Sequence, residues 1–174
     1  VSQTWFTDAS DLDHFDARGG VSGQTQVGQY VRIRGSIGVA SESAPDSADE
    51  GIIVAGNFDP YVDLAEYLSI PASLGVAFDG GRYTVSAGAD VTYTDYDARL
   101  TRGGVSVDQG FRNGTNADFR LRAGYRFSTA AGVFVEGLYN TQTYDDDAAN
   151  STGWRAVAGA EFEFTRLLTG ELFA

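Results

Sequence analysis

An all-β fold, with antiparallel strands crossing a membrane as a barrel and about eight strands in this chain, is the class this sequence predicts. Three features carry that expectation. Apolar and polar residues alternate along most of the chain, the alternating runs are long, and long connections alternate with short ones. Successive side chains of a strand point to opposite faces, so alternation gives each strand one apolar and one polar face. Several runs exceed the roughly 5 to 6 residues usual in soluble strands and reach the roughly 9 to 11 that a tilted membrane strand needs.

The strands follow in order. A faint first one is expected over 15–23. In YVRIRGSIGVA, Val31, Ile33, Gly35, Ile37 and Val39 oppose Arg32, Arg34, Ser36 and Gly38. In LAEYLSIPASLGVAF, Leu64, Leu68, Ile70, Ala72, Leu74, Val76 and Phe78 form the apolar face. Pro71 falls on the other face and forfeits a ladder hydrogen bond, so a bulge or local gap is expected there. Tyr83, Val85, Ala87, Ala89, Val91 and Tyr93 oppose Thr84, Ser86, Gly88, Asp90 and Thr92. Ala117, Phe119, Leu121, Ala123, Tyr125 and Phe127 oppose Asp118, Arg120, Arg122, Gly124, Arg126 and Ser128. Val133, Val135, Gly137 and Tyr139 make the next apolar face. Trp154, Ala156, Ala158, Ala160, Phe162 and Phe164 then oppose Arg155, Val157, Gly159, Glu161 and Glu163. A last faint strand is expected from Leu167 onward.

Short turns are expected near 24–27, 79–81, 128–131 and 165–166, and longer polar links over 41–62, 97–114 and 145–151. Membrane barrels carry that asymmetry, with short turns at one rim and longer loops at the other. Aromatic residues gather where this scheme puts the strand ends. Tyr83, Tyr125, Phe127, Phe162 and Phe164 lie toward the short turns, with Phe78. Tyr93, Tyr139 and Trp154 lie toward the long links, with Phe119. Two aromatic girdles flanking a band of Ala, Val, Leu and Gly suit the headgroup regions of a bilayer.

Composition narrows the classes. The chain has 174 residues, enough for one domain over 1–174 and few for two. Its formal charge of −12 argues against nucleic acid as a partner. With no cysteine, there is neither a disulfide framework nor a thiolate metal site. The sequence starts at Val1 and contains no methionine, which reads as a processed product. No run approaches the roughly 18 apolar residues of a membrane helix, which says nothing about barrel strands.

If the apolar parity meets lipid, a charged strip meets the lumen: Arg32, Arg34, Arg120, Arg122, Arg126, Arg155, Asp90, Asp118, Glu136, Glu161 and Glu163, with Glu171 beside it. An arginine facing lipid at mid-bilayer costs about 2 to 4 kcal/mol, which sets the direction of each strand's faces. Arg120 and Arg122 repel unless acids interleave, and Glu136 and Glu161 or Glu163 are the expected partners.

The segments SAGADVTYTDYDA, GGVSVDQGFRNGTNADFRLRAGYRFS, GVFVEGLYNTQTYD and GWRAVAGAEFEFTRLLTGE, in that order, resemble the putative β-barrel porin 2 family of Gram-negative outer membranes. The resemblance runs from about Gly28 to Ala174, with residues 1–27 weakly matched. It implies an outer-membrane location and a pore, with export of exopolysaccharide associated with some relatives. It also implies barrels of more than eight strands, so both a larger barrel of which this chain is part and a closed eight-stranded one stay open. It supplies no catalytic residue, cofactor or metal.

The expected function is therefore a porin-like or export-associated channel for polar or anionic solutes, polysaccharide among them. The alternative is a small structural or surface-interaction barrel with a closed, salt-bridged interior. Expected partners are outer-membrane lipid and lipopolysaccharide, and copies of itself or an envelope complex. A soluble β-barrel or sandwich is a further fold option. His14, among Asp8, Asp11, Asp13 and Asp16, is the sole candidate for acid–base chemistry, and it reads better as a solvated loop residue. The acidic runs SESAPDSADEG and TYDDDAANS lack the spacing of a calcium loop and read as hydrophilic loops.

Overall fold

The computed structural model describes residues 2–4, 14–44, 51–165 and 168–173. Its strands in chain order are β1 (Ser2–Thr4), β2 (His14–Val27), β3 (Val31–Ala44), β4 (Gly51–Val54), β5 (Asn57–Pro60), β6 (Ala65–Asp79) and β7 (Tyr83–Tyr96). There follow β8 (Arg99–Leu100), β9 (Ser106–Val107), β10 (Gly114–Arg126), β11 (Ala131–Tyr144), β12 (Ser151–Thr165) and β13 (Leu168–Phe173). Nine of them form one antiparallel sheet in the order β1, β2, β3, β6, β7, β10, β11, β12, β13. Sheet neighbours follow chain order throughout, so the sheet is a meander. β1 and β13 are its two edges and do not pair with each other among the described residues. His14 opens β2 rather than lying in a loop, opposite Thr4. Its side chain, like that of Phe164, lies outside the described ones.

The eight expected strands are all present, and β1 is an addition to them. The first short turn differs in place: Gln24 to Val27 continue β2, and the chain turns at 28–30. Gly28 has φ +64°, a conformation that costs glycine little and a β-branched residue much. At the next short turn Gly81 has φ +83°, and its N–H donates to the Asp79 carboxylate over 3.0 Å. Pro71 leaves a gap and no bulge. Pairing of β3 with β6 stops at Gly38 and Val39 and resumes in unchanged register at Ala40.

Alternation continues through this register, so the sheet has one apolar and one polar face. Nothing among the described residues covers the apolar face. Leu74 is 63 % exposed, Leu121 57 % and Trp154 80 %, and Ile37, Val85, Val133 and Val135 are exposed beside them. Only Ala65, Ala117 and Phe134 are buried apolar residues among those described. A soluble domain of this length would bury a contiguous core.

The polar face is concave. Arg122 of β10 donates to Glu171 of β13 over 2.7 Å, although three strands of a flat sheet would set them about 14 Å apart across the strands alone.

Two of the links expected to be long and polar, 41–62 and 97–114, carry strands of their own. One carries the hairpin of β4 and β5, the other the hairpin of β8 and β9. Ala55 and Gly56 both have positive φ, the mark of a tight two-residue hairpin turn. The hairpins meet through a bridge between Tyr61 and Thr101. Arg99 is buried there, its guanidinium 4.1 Å above the Tyr61 ring and 3.5 Å from the Asp63 carboxylate. Gln109 donates to the Tyr61 hydroxyl over 3.3 Å. The sequence pattern hides this folding because its buried members are themselves polar.

Candidate functional site

Residues directly opposite in neighbouring strands share a face, so the register assigns every charged side chain of the sheet. Asp90, Asp118, Arg120, Arg122, Arg126, Glu136, Arg155, Glu161, Glu163, Arg32 and Arg34 all fall on the concave polar face. They form successive rows running perpendicular to the strands.

One row reads Gln24, Arg34, Gly75, Gly88, Arg120, Leu138, Arg155 from β2 to β12. It contains no carboxylate. The row on the short-turn side reads Gln26, Arg32, Ala77, Ser86, Arg122, Glu136, Val157. On the other side lie Ser22, Ser36, Ser73, Asp90, Asp118, Asn140 and Gly153. There Asn140 donates to Asp118 over 2.9 Å, and Ser36 and Ser73 share a hydrogen bond of 2.7 Å.

The arginines divide into two kinds. Arg122 is held on several sides, by Glu171 at 2.7 Å, Glu161 at 3.4 Å, Glu136 at 3.8 Å and the Phe134 ring 3.7 Å from its guanidinium carbon. Arg126 bridges Asp79 at 3.2 Å and Glu161 at 3.8 Å. Glu136 and Glu161 are the partners expected from spacing, whereas Glu163 joins no ion pair among the described residues. Spacing does not reveal Glu171, Asp79 and Phe134 as members of this cluster. Period-two parity puts Glu171 on the right face but cannot say that the sheet curls far enough to reach Arg122. By parity alone, Phe134 is a misplaced apolar residue. It is buried because Gly159 opposite leaves room for its ring.

Arg32, Arg34, Arg120 and Arg155 are exposed and make no ion pair or hydrogen bond among the described residues. Arg34 lies flat across β6, its Nε 2.8 Å from where a Cβ of Gly75 would stand. Nearer the long loops, Arg18 pairs with Glu42 at 2.8 Å, and Tyr67 donates to the same carboxylate over 3.0 Å.

On the apolar face the register places Tyr83 beside Tyr125, with ring centroids 5.2 Å apart, at the short-turn rim. Phe119 faces Tyr139, and Tyr139 faces Trp154, toward the long loops. Tyr93 lies at that end of β7, while Phe127 and Phe162 lie at the short-turn end. The acidic run 143–151 folds as a 3-10 turn at Asp147–Ala149, capped by Asp146, whose carboxylate accepts from the Ala148 N–H over 3.0 Å. Residues 45–50 of the other acidic run lie outside the described residues. No group of acidic or histidine side chains is placed to hold a metal ion among the described residues.

Among the described residues the chain is a single curved antiparallel sheet with one bare apolar face and one charged concave face, the all-β architecture from which barrel walls are built. The chain belongs to the family described as Putative beta-barrel porin 2, whose match covers residues 1–174. The match therefore takes in residues 1–27, beyond the span from Gly28 that the motifs carry. No curated protein and no solved structure matches the chain.

Proposed function

We propose that this protein crosses a Gram-negative outer membrane as a porin-like barrel or as part of a larger one. In this reading its concave face lines an aqueous route for polar or anionic solutes, polysaccharide among them. The observation carrying this reading is the single-layer sheet with two opposite faces, neither covered by protein among the described residues. Hydrocarbon can cover the apolar face at no cost, and water can solvate the other.

Dimensions agree. Tyr83 and Tyr93 lie on one face of β7, ten residues apart, which is ~34 Å along the strand or ~26 Å along the membrane normal at the tilt usual for such barrels. That matches an apolar band of about 25 Å. The long loops then meet lipopolysaccharide, and porin families are in general not enzymes.

A second reading is favoured by one observation, the Arg122 cluster, whose interlocked charges are those of a plugged, structural barrel. Planar-bilayer recordings separate the two. The expected result is discrete conductance steps from protein that stays monodisperse in detergent and precipitates without it. A folded protein that inserts and stays silent would establish the plugged barrel instead.

A further inference from the structure

We infer that anionic solutes are contacted by the carboxylate-free row, through Arg34, Arg120 and Arg155, and that Arg122 and Arg126 fasten the wall rather than meet solutes. This deepens the reading above and rests on it for the path the solute takes.

Two independent observations separate the groups. The first is compensation. Arg122 and Arg126 face Glu136, Glu161, Glu171 and Asp79 within 4 Å, so their positive charge is cancelled locally. Arg34, Arg120 and Arg155 are exposed and share their row with glutamine, two glycines and a leucine. A guanidinium without a carboxylate partner keeps its fork of donors free for a carboxylate, sulfate or phosphate oxygen.

The second is shape. Gly75 and Gly88 leave the floor of the row empty between Arg34 and Arg120, and Arg34 uses that space to lie over β6. A side chain at position 75 would meet its Nε and Cγ, at 2.8 Å and 3.2 Å from the added Cβ. Gly75 is thus a positioning residue for Arg34. Because the row runs perpendicular to strands that tilt, it climbs the wall as a slanted track. A solute meets the three cations in turn instead of one tight ring. Fast transfer between weak sites is what permeation requires.

The test uses two readouts on the refolded protein. One is the anion-over-cation permeability ratio in bilayers under a potassium chloride gradient. The other is equilibrium binding of a pyrene tetrasulfonate dye to the protein in detergent. The triple variant Arg34→Gln, Arg120→Gln, Arg155→Gln is expected to weaken dye binding about tenfold or more and to shift permeability toward cations. Gly75→Val is expected to move both readouts in the same direction by displacing Arg34. Arg82→Gln, which removes one positive charge from the turn at 80–82 as each single member of the triple does, is expected to move neither. Arg34, Arg120 and Arg155 are each exposed, so their single substitutions give the same reading should the triple variant not refold.

A triple variant that binds and selects as the wild type does overturns the inference, as does an Arg82→Gln loss as large as that of the single Arg34, Arg120 or Arg155 substitutions. A wild type that binds the dye through these three arginines but never conducts supports the assignment of the row. It defeats the channel reading alone.

Discussion

Arg122 shows what the polar face demands of a single residue. Its guanidinium stacks on Phe134 and reaches carboxylates from three strands, β11, β12 and β13, so one side chain ties together the last four strands of the sheet. Arg122 keeps a quarter of its side-chain surface exposed, which screens these contacts and keeps each of them modest. Arg122→Gln would still leave Glu136, Glu161 and Glu171 crowded without their shared cation. A loss of about 1–2 kcal/mol is expected, read as a lower urea midpoint in detergent. Spacing alone offers Glu136, and Glu161 or Glu163, as partners for Arg120 and Arg122, and Arg122 takes Glu136 and Glu161. The closest partner, Glu171, stays hidden because its distance is set by curvature, and curvature leaves no mark in a period-two pattern.

The strands are legible almost in full, since alternation sustained over thirteen to fifteen residues fits an extended chain with two unlike faces and fits no helix. Their faces are legible too, and the unbroken register from β6 to β12 keeps parity consistent across the sheet. What escapes are elements in which burial and polarity coincide. β8, the bridge residue after it and the turn after β9 bury Arg99, Thr101 and Gln109, so a hydrophobicity pattern reads them as loop. β11 gives a direct test of the two faces against its neighbour β10. Leu121 projects from the bare face and Leu138 from the charged one, where it sits between Arg120 and Arg155. Leu121→Arg is expected to cost about 2–4 kcal/mol in a bilayer. Leu138→Arg is expected to cost about 1 kcal/mol or less, the repulsion from its two arginine neighbours. Folding yields into lipid vesicles, followed by gel mobility, measure both. Equal losses would mean that lipid is not what touches Leu121.

Taken whole, the described residues form a wall without a second layer, so on the reading proposed above its stability comes from the medium on each side and from the ladder between strands. With three buried apolar residues among those described, ladder hydrogen bonds carry an unusual share of the cohesion. Among the described residues the contact of β3 with β6 has a gap midway along it, at Gly38 and Val39 opposite Pro71 and Ile70. Pro71 has no N–H to offer the Gly38 carbonyl opposite it. If the wall stands in a bilayer as proposed, an unanswered carbonyl is expensive there, so this seam is expected to part most readily, with water reaching it from the concave side. Deuterium should enter the Gly38 amide well before that of Arg34, which lies on the same strand at the same parity. Equal protection of the two would remove the idea. If the seam does breathe, β1 to β3 form a flap hinged apart from the strands that follow, and lateral opening there needs no change in the row of arginines beyond carrying Arg34 outward with it.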